Sequence, residues 1–188
     1  MTDSTTSAIE FPGYKAGTWT LDPSHSEVQF SVRHMMISKV RGTFGVKAAT
    51  LTAPENPLEA TVEATVDVAS IDTKDEGRDN HLRSADFFDV ENYPTMEFRS
   101  TGVRIENGDF LVDGNLTIKG VTKPVTFDFD FGGFGTDPWG NYKAGATAKA
   151  VINREDFGLT WNAALETGGV LVGKDVTIEL DLQGALAA

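Results

Sequence analysis

The chain has 188 residues, 40% of them hydrophobic, which suits a single domain with a packed core or a lined cavity. Its 16 Lys and Arg against 28 Asp and Glu give a net charge of -12, which argues against a nucleic-acid partner because phosphate binding needs clustered cations. The same charge argues against docking on an anionic membrane by electrostatics alone, and no apolar run approaches the roughly 20 residues of a membrane helix.

The N-terminal segment MTDSTTSAIEFPGY has neither the basic region nor the apolar region of a secretory signal. We therefore expect a cytoplasmic protein in which residues 1–14 form a flexible tail and residues 15–188 form one domain. Cysteine is absent, which excludes disulfides, thiolate metal sites and a cysteine nucleophile.

The first clear strand is EVQFSVRH, residues 27–34, in which apolar and polar side chains alternate. A period of two is typical of an antiparallel strand with one buried and one wet face. His34 shares the parity of Phe30 and Val32, so we expect its ring to point inward at the end of the strand.

Two further strands follow before the alternation stops. Residues 39–53 predict a long strand that bends near Gly42 or Gly45. Residues 60–68 alternate strictly, and two of their inward positions are alanines, Ala60 and Ala64.

The segment TKDEGRDNHLRSADFFDV, which begins at Thr73, predicts a short helix at one mouth of the sheet structure. Thr73 and Glu76 fit a capping box, in which each side chain satisfies a free backbone donor at the other residue. The helix is expected to end near Ala85, ahead of Phe87 and Phe88. At i, i+3, i+4 spacing one helix face carries Arg78, His81 and Leu82.

The rest of the chain returns to strands, separated by glycine-containing turns such as Asn107-Gly108, a type I′ signal. The remaining strand patterns lie at residues 110–118, 125–131, 143–152 and 176–182. About eight strands with one apolar face must close into a barrel or form a sandwich. The fold class is therefore all-β, and a barrel of that size has room for side chains or one small ligand.

The inward row of the strand at residues 143–152 is unusually small. It reads Ala144, Ala146, Ala148 and Ala150. Such a row either packs against large residues opposite or leaves a tunnel, and the pattern alone leaves both open. Arg154 continues the same parity.

The three histidines, His25, His34 and His81, match no compact metal motif, so we expect no metal or cofactor. Asp22, His25 and Ser26 instead predict a tight turn. Two interpretations of the cations on the predicted helix remain open. These cations either bind a phosphate or pyrophosphate, or pair with nearby carboxylates on a solvated helix face. The cations are Arg78, His81 and Arg83, and the carboxylates are Asp75, Asp79 and Asp86.

The sequence resembles the YceI family of lipid-binding proteins, and the likeness extends from about residue 17 to residue 182. The matching segments are residues 17–35, 41–45, 78–101, 114–128 and 152–159. The resemblance implies an eight-stranded antiparallel, lipocalin-like barrel, often dimeric, with an elongated apolar pore. It also implies binding of polyisoprenoids such as polyprenyl diphosphates or isoprenoid quinones. Many relatives are periplasmic, and this chain departs from them in lacking a signal.

Parity and resemblance together predict the ligand-binding residues. The pore for an apolar tail is expected at Phe30, Val32, Met36, Phe44, Phe98, Phe127, Phe129 and Ala148. The residues that close a mouth are expected to be Leu82, Phe87, Phe88, Phe157 and Trp161. A polar head group is expected near His34, Arg41, Arg78, His81 and Arg154.

Three functions remain open. The leading one is a non-catalytic carrier, store or sequestering protein for an isoprenoid lipid. The second is an enzyme acting on an isoprenoid-like or small apolar substrate, with His34 or His81 as general base. The third is a structural or stress-response homodimer whose interior is packed.

Overall fold

A computed structural model of the protein describes residues 11–163, 165 and 171–187. Its strands are β1 Gly17–Leu21, β2 Glu27–His34, β3 Ser38–Ala53, β4 Thr61–Asp72, β5 Thr95–Glu106, β6 Asp109–Ile118, β7 Val121–Thr136, β8 Tyr142–Asn153 and β9 Val172–Leu186. The helix α1 spans Glu76–Arg83 and connects β4 to β5. Short 3₁₀ turns lie at Pro23–His25, Pro57–Glu59 and Arg154–Phe157.

The nine strands fill eight positions of a closed antiparallel barrel. From β2 to β9 each strand pairs with its neighbour in the chain. β1 and β2 both pair with β3 on one side and with β9 on the other. They therefore act as one interrupted strand, and their pairing with β9 closes the barrel without a free edge. This confirms the predicted eight-stranded barrel with one short helix.

The interruption between β1 and β2 follows from the sequence Asp22-Pro23. Proline has no N–H to donate to a strand ladder, and the Asp22 carboxylate accepts hydrogen bonds from the Ser24 backbone N–H and hydroxyl at 3.0 and 2.6 Å. It also lies 2.8 Å from His25 Nδ1. Hydrogen bonds from Ser24 and His25 lower the pKa of Asp22 to about 2. The predicted turn at these residues is confirmed.

The backbone confirms the other local predictions, apart from the helix cap. Asn107 and Gly108 have φ values of 52° and 85°, as a type I′ turn requires. The bend in β3 is confirmed near Gly45, where its register with β4 shifts. The predicted capping box is wrong, because the helix begins later.

The N-cap of α1 is Asp75, whose carboxylate accepts a hydrogen bond from the Arg78 N–H at 2.9 Å. Thr73 is buried before the helix, and its N–H and hydroxyl donate to the buried Asp79 carboxylate at 2.9 and 2.5 Å. Lys74 between them has a φ of 64°, in the left-handed region, and thereby separates Thr73 from the cap.

Because successive strands run in opposite directions, their connections lie at two different ends of the barrel, which form its two mouths. The helix mouth carries the β2–β3 turn, α1, the β6–β7 turn and the β8–β9 connection. The N-terminal mouth carries the start of β1, the β3–β4, β5–β6 and β7–β8 connections, and the end of β9. The three most deeply buried side chains, Val68, Ile71 and Phe157, lie toward the helix mouth, where the core is most solid.

At residues 11–14 the structure differs from the predicted flexible tail. The Phe11 ring lies 5.2 Å from that of Phe110 and 5.6 Å from that of Phe131. Tyr14 Oη donates to the Pro54 carbonyl at 2.5 Å. Because aromatic burial is favourable, these residues pack at the N-terminal mouth. Residues 1–10 of the predicted tail lie outside the described residues.

Two glycines in neighbouring strands provide a test of how tightly the barrel wall packs. A Cβ added at Gly114 in β6 would lie 2.3 Å from Phe98 Cζ and 2.7 Å from the Arg99 carbonyl oxygen. We expect Gly114→Ala to lower the free energy of unfolding by about 1–3 kcal/mol, the usual cost of overpacking. Urea denaturation measures this change.

The matched control is Gly102→Ala in β5, where an added Cβ meets nothing within 4 Å. Its effect should stay within about 0.5 kcal/mol of zero. Equal losses for both variants would contradict the packing explanation.

Candidate functional site

The barrel encloses an elongated cavity of about 650 Å³, within the range typical of sites for drug-sized ligands. At the N-terminal mouth it is lined by Phe11, Tyr14 and Trp19, and at the helix mouth by His34 and Trp161. The cavity therefore runs the length of the barrel, and the packed interior of the third hypothesis is absent from the part of the chain that the structure describes.

Ten of the predicted apolar ligand residues line this cavity. They are Phe30, Val32, Phe44, Leu82, Phe87, Phe88, Phe98, Phe127, Phe129 and Trp161. Most stand on strands at inward positions, where strand parity alone locates them. Leu82, Phe87, Phe88 and Trp161 come from α1 and the connections at the helix mouth, so the cavity narrows into aromatic side chains there.

The small interior row divides into two halves. Ala144 and Ala146 line the cavity, whereas Ala148 and Ala150 are buried in the core. Each of the first three alanines lies beside a phenylalanine of β7 in the strand register, for example Ala148 beside Phe129. Both readings of the row therefore apply, with packing toward the helix mouth and a channel toward the N-terminal mouth.

Four predicted site residues do not line the cavity. Ala148 and Phe157 are buried in the core, at 5% and 1% exposure. Met36 lies in the β2–β3 turn with a φ of 62° and is 52% exposed, because strand parity does not continue through a turn. Arg41 is exposed on the outer face of β3. The structure therefore does not bring these four residues to the cavity, and a role for them in ligand binding stays a prediction.

The remaining predicted head-group residues, His34, Arg78, His81 and Arg154, all border the cavity at the helix mouth. The His81 ring packs edge-on against Trp161 and Phe87 at centroid distances of 4.7 and 5.1 Å. Its Nε2 lies 2.8 Å from Asp86 Oδ2. Of the proposed carboxylate pairs, this is the one that forms among the described residues.

The other two cations of the predicted cluster bind backbone and hydroxyl oxygens. Arg78 donates from Nε to Thr73 Oγ1 at 2.8 Å and from Nη2 to the Thr73 carbonyl at 2.7 Å. In the described part of the chain Nη1 has no hydrogen-bond partner. Arg83 donates to the carbonyls of Ala69 and Ile71 and so ties α1 to β4.

Arg154 is a buried cation, 4% exposed, at the start of the connection to β9. Its guanidinium donates to four carbonyl oxygens, at Leu159, Gly173, Trp161 and Val172, over 2.6 to 3.2 Å. Burial lowers the pKa of Arg154 from its ordinary value. No described carboxylate lies within 4.0 Å of it, so its charge is balanced by carbonyl dipoles.

The sequence reasoning missed the aromatic lining of the N-terminal mouth. This group comprises Phe11, Tyr14, Trp19, Phe110, Phe131 and Phe134. Phe131 shares the parity of Phe129, which is a usable signal, whereas the sequence predicts a flexible tail at Phe11 and Tyr14. Among the described helices none has the length and apolar character needed to cross a membrane.

The role of Arg154 as a clamp on the wall of the helix mouth predicts a large loss of stability on its removal. We expect Arg154→Met to lower the free energy of unfolding by about 3 kcal/mol or more, because four carbonyls lose a charged donor. Arg154→Lys should recover little, since one ammonium cannot reach four separated oxygens. Thermal or urea denaturation measures both variants.

The control is Arg99→Met, at an exposed arginine whose nearest carboxylate, on Glu63, is 3.9 Å away. Its effect should stay within about 0.5 kcal/mol. An Arg154→Met protein as stable as the wild type would show that the carbonyls are satisfied without the guanidinium.

The profile of the YceI-like domain family matches residues 19–184. A UPF0312 protein of Staphylococcus aureus strain N315 is 40% identical over 172 residues, 90% of this chain and 98% of that protein. Among solved structures, BcnA of Burkholderia cenocepacia superposes with a TM-score of 0.74 at 24% identity, covering 87% of this chain and 98% of the other. A polyisoprenoid binding domain from Saccharophagus degradans has a TM-score of 0.65 at 13% identity, covering 90% and 98%. The chain belongs to the YceI-like domain family.

Proposed function

We propose that the protein binds a long apolar isoprenoid lipid inside the barrel, as a carrier, store or sequestering protein. The observation that carries this proposal is the continuous apolar cavity between the two mouths. Burying an apolar chain there gains roughly 0.8 kcal/mol for each CH₂-sized group removed from water. The chain's structural likeness to a domain described as polyisoprenoid binding supports the ligand class.

The walls of the cavity favour a slender, flexible ligand. Phenylalanine rings of β5 and β7 lie beside small residues of the neighbouring strands β4 and β8, for example Phe98 beside Ala64. Apolar walls of this kind give binding energy by area and little polar selectivity. Chain length and cross-section would then decide which lipids fit.

A polar head would lie at the helix mouth, where the cavity meets His34, Arg78, His81 and Arg154. The N–H donors of Arg154 are taken up by backbone carbonyls, so Arg154 would act on the head group through its charge alone. Arg78 retains Nη1, which suits one oxygen of a phosphate. This arrangement favours an electron-rich head such as a diphosphate or a quinone ring.

Catalysis is the second candidate. The contact of His81 Nε2 with Asp86 Oδ2 at 2.8 Å, beside the cavity, is the geometry of an oriented general base. His34 also borders the cavity. We rank this function below binding because the His81 imidazole packs edge-on against Phe87 and Trp161, and its Nε2 is already engaged by Asp86 Oδ2.

The channel predicts a dependence on ligand length that a surface site would not show. Ala146→Trp fills the channel near the N-terminal mouth, so we expect loss of long polyprenyl chains with retention of short ones that enter at the helix mouth. Native mass spectrometry with a length series of polyprenyl lipids measures the selectivity.

The same spectra distinguish binding from catalysis. Unchanged ligand masses after incubation are expected for a binding protein, and altered masses would favour the enzyme.

The matched control is Thr147→Trp, which adds the same ring at an exposed position one residue along β8. It should keep the wild-type length profile. A wild-type protein that takes up no polyprenyl lipid of any length would overturn the proposed function.

The head site predicts discrimination between charged and neutral lipids. Arg78→Met should weaken a polyprenyl diphosphate by about tenfold or more, because a charge-assisted hydrogen bond is lost, and change the matching polyprenol by less than about twofold. Competition binding with both ligands measures the ratio. Equal weakening of the two would show that Arg78 acts on the wall and not on the head.

Three expectations from the sequence stay predictions: a cytoplasmic location, a homodimer and a role in stress response. Fractionation of the host cell, sedimentation equilibrium and comparison of expression under stress address them in turn. The choice between a polyprenyl diphosphate and an isoprenoid quinone is answered by extraction of lipid from protein purified from its own host.

A further inference from the structure

The β2–β3 turn carries three consecutive apolar side chains that point into solvent. Met35, Met36 and Ile37 are 44%, 52% and 81% exposed, and we call them the apolar tip. Exposed apolar side chains that cluster mark contact sites more often than scattered ones do. The tip lies at the helix mouth, directly after His34, which borders the cavity.

The backbone of the tip also departs from what its residues prefer. Met35 and Met36 have φ values of 55° and 62°, in the left-handed region that glycine and asparagine favour. The two-residue turns Asn107-Gly108 and Lys119-Gly120 place glycine at the second position. The three-residue β2–β3 turn has neither glycine nor asparagine at its two positive-φ positions.

Beside the tip lies a group of cations on the outer face of the hairpin, which we call the basic collar: Arg33, Lys39 and Arg41. All three are exposed. Arg33 lies directly opposite Lys39 in the strand register, and Arg41 lies opposite Ser31 in the next row of that face. Like charges placed opposite each other destabilise a strand pair. Within the described residues none of the three has a carboxylate within 4.0 Å.

One hairpin therefore breaks three local rules of stability, in a chain whose net charge is -12. Conflicts of this kind concentrate where a protein contacts something else. Apolar side chains rimmed by Lys and Arg match the layered structure of an anionic bilayer, with acyl chains inside and phosphates at the surface. Three side chains are too few for a stable protein interface, which uses about 20–30 residues a side.

We propose that the apolar tip and basic collar dock the helix mouth of the barrel onto an anionic lipid bilayer. Arg33 and His34 both border the cavity, so docking at the tip brings the cavity entrance to the membrane surface. The docking itself does not depend on which lipid the cavity holds, and it is tested without any polyisoprenoid.

The opposite mouth provides a built-in comparison. Trp139, in the β7–β8 connection, is 83% exposed and is itself a residue suited to membrane interfaces. Of the cations there, Lys143 pairs with Asp137 at 3.4 Å, and Lys15 lies 3.8 Å from the centroid of the Tyr142 ring, so they do not form a collar like that of the hairpin. An exposed aromatic ring without a free cationic collar should contribute little to binding an anionic surface.

The experiment is co-sedimentation of the full chain with vesicles of phosphatidylglycerol and phosphatidylcholine in equal parts, and with phosphatidylcholine alone. We expect preferential binding to the anionic vesicles that weakens as salt is added. Each collar cation should contribute about fivefold to partitioning, so R33Q/K39Q/R41Q should lose well over tenfold.

The tip is tested by the double variant Met35→Asn plus Met36→Gly, which removes the apolar side chains and supplies the residues a type I′ turn prefers. It should fold at least as stably as the wild type in urea and still lose vesicle binding. Trp139→Ser is the matched control and should bind as the wild type does.

Equal binding to both vesicle types, or full binding by the tip variant, would overturn the proposal. Loss of binding in Trp139→Ser would assign docking to the other mouth. A wild-type dimer that the tip variant converts to a monomer, with no vesicle binding in either, would identify the tip as a self-association surface instead.

Discussion

Closure of the sheet on itself is the constraint from which the rest of the structure follows. Pairing of both β1 and β2 with β9 leaves no free edge among the described strands and fixes the perimeter at eight strand positions. With the perimeter fixed, the size of inward side chains alone decides how much of the interior is filled. Alanines such as Ala144 and Ala146 leave a wide channel, whereas larger residues toward the helix mouth narrow it.

The two mouths are built by different means. Aromatic residues close the N-terminal mouth, with Phe11 packed on Phe110 and Phe131. The helix mouth is held by hydrogen bonds, above all those from the buried Arg154 guanidinium to four carbonyls. A mouth whose wall is held by these hydrogen bonds has a fixed shape, which suits recognition of a polar head. The two ends of the channel therefore differ, one being aromatic and the other polar.

The same asymmetry appears on the outer surface. The cations that border the cavity and those of the basic collar lie at one end of a protein that is acidic as a whole. A net negative charge repels anionic surfaces, so a local group of unpaired cations acts only where an apolar contact adds to it. The proposed docking and the proposed ligand uptake therefore involve the same end of the barrel.

The sequence by itself determined most of the strands and inward-facing residues, because strand parity is a local property with a fixed period of two. That pattern left a barrel and a sandwich open, and the resemblance to the YceI family indicated the barrel. The sequence also located the Asn107-Gly108 turn, whose backbone needs are set by two residues. Only the tertiary structure decided the rest. Met36 lies outside the cavity because a turn ends the parity, Thr73 binds Asp79 instead of capping α1, and Arg154 holds carbonyls brought together from separate segments. These outcomes depend on which distant groups meet once the barrel has closed, and no local pattern encodes that.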